Sequence, residues 1–254
     1  MGPKLGLKEV LPAAGLVLLF LLGWEGCVRL LGVPDYLLPP PSQILALIGA
    51  HPQLLLHHAG VTLAEVALGF AIGLVGGVLL GILLFSSPLL ERAVYPLLIL
   101  SQNIPVFAIA PLLVVWLGYG LWPKVVVAAL IVFFPIVVNM IDGLKAVDPD
   151  LVRLMQVMEA NRRQILLKVR LPGALPFILS GTKLGLIYSV IGAVIGEWVG
   201  STAGLGYLML YANRLLQVDL VFAAILILAV IGVGLFGTVS LLERLLLPWR
   251  RVLR

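Results

Sequence analysis

Charge is scarce in this 254-residue chain: Asp, Glu, Lys and Arg make up 11% of it, against roughly 25% in ordinary soluble domains. Hydrophobic residues fill 61% and the mean hydropathy is +1.15, which excludes a soluble globular fold and implies a membrane protein. Cysteine is nearly absent. Cys27 lies in an apolar run, can close no internal disulfide and reads as a small buried hydrophobe rather than a redox group. Enzymatic constellations are missing too: there is no His-Glu-x-x-His, no paired intramembrane aspartates and no Gly-x-Ser-x-Gly. Ser180-Gly181-Thr182-Lys183 has the residue types of a phosphate-binding loop in the wrong order and sits in an apolar segment, so ATP hydrolysis is excluded. His51, His57 and His58 have no carboxylate or cysteine at ligand spacing, which gives a wet interfacial loop and no metal site. The net charge of +5 does not point to nucleic acid, because the basic residues stand at the ends of apolar segments without interleaved aromatics.

What is present is a series of apolar segments long enough to cross a bilayer, which takes about 20 residues each. The hydropathy predicts six spans, at about 10–31, 61–85, 97–117, 125–141, 176–199 and 220–242. The second carries Gly69, Gly73, Gly76, Gly77 and Gly81, which let neighbouring helices approach closely, and Glu65 enters near its outer end. That carboxylate is either an intramembrane functional group or one that reaches the headgroups. Residues 86–96 read as a short inner loop. The third span is interrupted by Pro105 and Pro111 and opens on Ser101-Gln102-Asn103; broken helices in lipid are tolerated where they line a cavity or bury against protein, which makes these residues candidates for a translocation pathway, with Asn139, Tyr188 and Glu197 in later spans. A tight outer turn, 118–124, precedes the fourth span, and residues 200–219 form an outer segment. Thirteen basic residues then fall inside (Lys4, Lys8, Arg92, Lys145, Arg153, Arg162, Arg163, Lys168, Arg170, Arg244, Arg250, Arg251, Arg254) and three outside (Arg29, Lys124, Arg214). The positive-inside rule places both termini in the cytoplasm of a multi-pass plasma or inner membrane protein.

Ten of the twenty-nine formal charges lie between Asp142 and Pro176. Asp148 is a predicted N-cap, with Pro149 at the first helical position and Leu151, Leu154, Met155 and Met158 on one apolar stripe. After a break at Glu159-Ala160-Asn161, Asn161 and Gln164 form a capping box for a second short helix, which Pro172 is expected to end. A polar helical hairpin, about 142–175, thus interrupts the spans.

This hairpin resembles the cytoplasmic coupling loop of type I ABC importer permeases, whose form is Glu-Ala-Ala, three residues, Gly, nine residues, Ile-x-Leu-Pro. Leu171-Pro172 matches its end. Val169 takes the Ile place, Glu159 the Gly place and Arg153-Leu154-Met155 the Glu-Ala-Ala place, so the front departs from the pattern, and Glu159-Ala160 lies six residues too late to be its start. Gln102-Asn103-Ile104-Pro105 through Ala110-Pro111-Leu112 and Trp116-Leu117-Gly118 resembles a core block of the nitrate, sulfonate, taurine and pyrimidine-precursor permeases. Asp148-Pro149 with Leu171-Pro172, Leu175-Pro176 and Gly181 resembles a second, and Glu197-Trp198 with Gly204-Leu205-Gly206-Tyr207 a third. Within that group, Arg153-Leu154-Met155 and Leu242-Glu243-Arg244-Leu245 through Pro248-Trp249 look most like permeases for thiamine pyrimidine precursors or riboflavin.

The resemblance implies an all-α, polytopic fold with six transmembrane helices and a MetI-like core. It implies a permease homodimer in the lipid membrane, two ATP-binding cassette subunits that hold ATP and Mg, and an external or lipid-anchored substrate-binding protein. No cofactor is expected in this chain. The ATPase-coupling residues become Asp148, Pro149, Arg153, Leu154, Met155, Met158, Glu159, Ala160, Asn161, Arg162, Leu171 and Pro172. One deep basic residue, Lys183, favours a neutral, ring-bearing substrate over alkanesulfonate, taurine or nitrate. An ion-coupled secondary transporter is the rival of another class; it fits poorly with six unequal spans and one large polar hairpin.

Overall fold

The computed structural model describes residues 7–247; Lys4, Arg250, Arg251, Arg254 and the Pro248-Trp249 end of the subgroup resemblance lie outside them. In chain order the helices are α1 (Leu7–Leu31), α2 (Pro41–Ala50), α3 (Pro52–Ser86), α4 (Pro88–Ser101), α5 (Val106–Leu117), α6 (Leu121–Lys145), α7 (Pro149–Val157), α8 (Arg162–Ile165), α9 (Leu171–Gly200), α10 (Leu205–Arg214) and α11 (Val218–Leu246). No strand occurs among the described residues. Among the described residues five helices are long and apolar enough to cross a membrane, or six if α4 and α5 form one broken span.

The centre of the bundle is α6, packed between α3 and α9. Glycines make this possible by letting backbones meet. A Cβ at Gly69, Gly73, Gly77 or Gly81 of α3 would press into Ala128, Val132, Ile136 or Met140 of α6, in that order. Both numberings rise together, so α3 and α6 run parallel. On the other side Gly181, Gly185, Gly192 and Gly196 of α9 meet Asn139, Val132, Ala128 and Lys124, in falling order, so α9 is antiparallel. With lipid outside rather than water, close van der Waals contact supplies most of the attraction between such helices. Val125, Ala128, Val132, Met140, Ile141 and Leu144 are accordingly sealed on α6.

Several expectations from the sequence change. Residues 86–96 are not a loop: α4 starts at Pro88, with Ser87 as its N-cap accepting from Leu90 N–H. The third span is more sharply broken than two prolines suggest, bending 97° between α4 and α5. Within the segment 200–219, where the sequence reading places no element, Gly204, at φ +116, caps the helix α10. The histidine loop is helical as well. His57 and His58 sit in the second turn of α3, and buried His58 accepts the Gly204 N–H at Nδ1, 3.0 Å away. Pro172 does not stop the second hairpin helix; a π turn at Leu166–Arg170 passes directly into α9, making one helix from Arg162 to Gly200. Proline has no N–H to give, and the wider i→i+5 turn just before it absorbs the mismatch. Cys27 is exposed, not buried.

Candidate functional site

The two ends of the bundle hold its polar groups in opposite ways. At one end, α7 and α8 form the hairpin. Asp148 Oδ1 accepts from Asp150 N–H at 2.8 Å, with Pro149 at the first helical position. Asn161 and Gln164 complete a reciprocal capping box, with N–H to oxygen distances of 2.8 and 2.9 Å. Glu159, in the turn between them, has φ +57, the left-handed conformation that favours glycine. No ion pair to Glu159 forms among the described residues.

The base of the hairpin is anchored. Arg170 Nη1 donates to the Leu144 carbonyl at 2.7 Å and its guanidinium lies 4.8 Å from the centre of the Phe85 ring. Val147 is buried against Gly173, and Lys145 pairs with Glu91, which ties α4 to the end of α6. The tip is open instead. Leu151, Leu154 and Met158 lie exposed on one side of α7, Leu154 by 56% and Met158 by 69%, while Met155 is half-buried. An apolar stripe held on a capped, anchored helix and left uncovered by the described residues is what a partner-binding groove requires of its ligand helix.

At the opposite end, charges are buried. Glu65 of α3 is 0% exposed and forms an ion pair with Lys124, in the first turn of α6. Lys124 Nζ also donates to Ser201 Oγ at 3.0 Å. Next to this pair Glu197 of α9, 1% exposed, accepts from Thr62 Oγ1 at 2.6 Å and from the N–H groups of Gly206 and Tyr207 at 2.5 and 3.3 Å. Thr62 Oγ1 in turn accepts from Leu205 N–H at 2.8 Å. The Glu197 carboxylate therefore satisfies the free N–H groups that open α10, the arrangement a helix N-terminus favours. Gly204 and Gly206 are needed there, because a Cβ at either would strike that carboxylate.

Residues 73–247 match the family described as binding-protein-dependent transport system inner membrane component. The chain belongs to this family. It is 43% identical to the formylaminopyrimidine transport permease ThiX of Halalkalibacterium halodurans, over 92% of this chain and 94% of that one. Against the riboflavin transport system permease RibX of Chloroflexus aurantiacus it is 39% identical, covering 94% and 91%, and against the taurine transport system permease TauC of Escherichia coli 32%, covering 95% and 90%. An inward-facing structure of the MetNI methionine ABC transporter shares the fold, with a TM-score of 0.69 at 22% identity over 77% of this chain and 98% of that chain. The protein is thus an ABC importer permease subunit with a MetI-like fold, a membrane component of its transporter.

The permease distributes the sequence-predicted pathway residues over several levels. Gln102, Asn103 and Pro105 are exposed at the α4–α5 break, where Asn103 Nδ2 donates to the Leu100 carbonyl at 3.2 Å and half-buried Ser101 to that of Leu98 at 2.8 Å. Asn139 is half-buried between α6 and α9, donating to the Pro135 carbonyl at 2.8 Å, and Tyr188 is exposed on α9. Glu197 packs at the level of Lys124, about 22 Å along α6 from Asn139 at 1.5 Å per residue. Of the residues expected from the sequence to couple to an ATPase, Asp148 to Arg162 lie in the hairpin, and Leu171 and Pro172 open α9 after it. Sequence reasoning missed Glu65, Thr62, His58 and Lys124 as one cluster. A signal was present in Leu205, Leu208 and Ala212, whose helical spacing marks α10 and hence a need for an N-terminal acceptor.

Proposed function

We propose that this permease subunit carries a thiamine pyrimidine precursor or riboflavin into the cytoplasm, driven by ATP hydrolysis in a separate subunit. The exposed Leu151, Leu154 and Met158 stripe on the capped hairpin carries the coupling part of this reading: it offers a nucleotide-binding partner an apolar helix face without costing the permease any of its own core. In this arrangement the chain is half of a homodimer, two ATP-binding cassette subunits hold ATP and Mg, and an external or lipid-anchored binding protein delivers substrate. The hairpin and both termini face the cytoplasm, as the distribution of basic residues favours. The pyrimidine or flavin reading is supported by 43% and 39% identity to ThiX and RibX. Alkanesulfonate, taurine or nitrate is the second reading, supported by 32% identity to TauC.

The test is reconstitution of the permease in liposomes with the ATPase and binding protein encoded beside it. ATP-dependent uptake of a formylaminopyrimidine or riboflavin, and none by the permease alone, is the expected result. ATP-dependent uptake of taurine in place of either would overturn the substrate reading. Uptake by the permease alone on an ion gradient would overturn the ATP-driven one.

A further inference from the structure

We propose that the cavity at the end of the permease away from the hairpin is a loading site for a flat heteroaromatic ligand, which stacks on Tyr211 and presents an acceptor group to Arg214. This assignment rests on the ring-bearing substrate proposed above and places that substrate's first contact with the chain. The cavity measures about 520 Å³, within the roughly 300–1,000 Å³ of small-molecule sites. Buried Lys124 and Glu197 line it together with Tyr119 and Trp198, and with Tyr207, Tyr211 and Arg214 of α10. It lies about 30 Å from the hairpin end of α6, counted from Lys124 to Lys145 at 1.5 Å per residue.

The aromatic wall is already organised for stacking. Tyr207 and Tyr211, one turn apart on α10, have ring centroids 6.0 Å apart and planes 21° from parallel. His58 continues the ladder behind Tyr207, at 6.1 Å and 28°. Buried His58 accepts the Gly204 N–H and is anchored by it, whereas Tyr211 is half-exposed and lines the cavity. A planar ring laid on Tyr211 adds one more rung. The polar groups then set the ligand's charge. Lys124 is neutralised by Glu65 and directed at Ser201, so it adds no net positive charge. Arg214, one turn beyond Tyr211, is exposed and makes no ion pair among the described residues. A guanidinium both donates in its plane and stacks on its face, which matches a heterocycle with ring nitrogens or carbonyls. A small aliphatic sulfonate would satisfy the arginine but leave the tyrosine ladder unused.

Full-length permease in lipid nanodiscs is titrated with riboflavin by fluorescence, and with a formylaminopyrimidine and taurine by calorimetry. Saturable binding of at least one ring compound is expected, weakened about tenfold by Tyr211→Leu and largely kept by Tyr211→Phe, because a lost stack removes on the order of one factor of ten. Arg214→Gln should weaken the same ligand several-fold, and it carries the test if Tyr211→Leu fails to fold. Trp122→Leu, which removes an exposed aromatic outside the cavity, should change nothing. Absence of saturable ring binding, or unchanged affinity in both Tyr211→Leu and Arg214→Gln, overturns the site and leaves these side chains as headgroup anchors. Ring uptake by the assembled transporter that Tyr211→Leu does not affect would also overturn the site while sparing the substrate reading. Taurine uptake together with Tyr211-dependent ring binding would do the reverse.

Discussion

The hairpin end of the permease exposes leucine and methionine, while the opposite end buries glutamate and lysine. Each inverts the usual partition of side chains, and the inversions differ in where their free energy goes. Buried Glu65 and Lys124 form an ion pair and buried Glu197 holds the start of α10, so removing one member of either arrangement leaves a desolvated group behind. Exposed Leu151, Leu154 and Met158 touch nothing that the chain alone must hold. The first region is therefore committed to the fold, and the second is left for a partner. Ranked by their effect on unfolding free energy, four substitutions test that division.

The largest effect belongs to Lys124→Met. It preserves volume but strips the ion pair from a fully buried Glu65, which costs about 3–5 kcal/mol. Denaturant unfolding in detergent measures it, and adding Glu65→Leu should recover most of the loss. If the single change costs less than about 1 kcal/mol, the buried pair adds little to the glycine-mediated contact of α3 with α6. Thr62→Val comes next. The hydroxyl both donates to Glu197 and accepts from Leu205 N–H, so valine leaves two buried groups unpaired, at about 1–3 kcal/mol. The loss should appear locally as faster hydrogen exchange in α10, and uniform exchange across the bundle would contradict the capping role of Glu197.

Glu159→Gly acts in the opposite direction. At φ +57 a glycine avoids the roughly 1–2 kcal/mol that other L-residues meet, and no ion pair of Glu159 among the described residues offsets that cost. A gain of about 1 kcal/mol in the permease, with ATP hydrolysis of the assembled transporter unchanged, marks a strained turn. Reduced hydrolysis at unchanged stability would make Glu159 a contact to the ATPase, and a loss of stability would refute the strain.

What the sequence discloses about these regions depends on how far apart the partners lie. The hairpin was legible because its determinants are local: Asp148 with Pro149, and Asn161 with Gln164, act within three residues of themselves. Glycine spacing announced close helix contact on α3, but not that α6 was the neighbour. The buried cluster was hidden for the same reason in reverse. Glu197 lies 135 positions from Thr62, and His58 lies 146 from Gly204, so neither partner can be read from its surroundings. From sequence His58 therefore reads as a loop residue, and Lys124 as part of the tight outer turn before the fourth span. Pro172 misled differently, because a proline early in a helix is compatible with its continuation when the preceding turn is wide.

The smallest effect on stability is expected from Leu154→Ser, and it discriminates best between the two ends. Leu154 is 56% exposed on an α7 whose caps lie at its ends, so serine removes no buried contact and disturbs neither Asp148 nor the capping box. Surface changes of this kind stay within about 0.5 kcal/mol. An apolar anchor seated in a partner's groove behaves otherwise, since truncating a central anchor costs about 2 kcal/mol or more of binding, roughly thirtyfold in affinity. The melting temperature of the permease should therefore hold while the ATPase dissociates or ceases to respond to substrate, and Met158→Ser should act alike. Size-exclusion chromatography of the assembled transporter and its substrate-stimulated ATP hydrolysis give the two readouts. If Leu154→Ser lowers the melting temperature as Thr62→Val does, the stripe belongs to the fold and the contrast between the ends fails. If stability and assembly are both unchanged, docking must rest on the hairpin's charges, and Arg153 and Arg162 become the residues to alter.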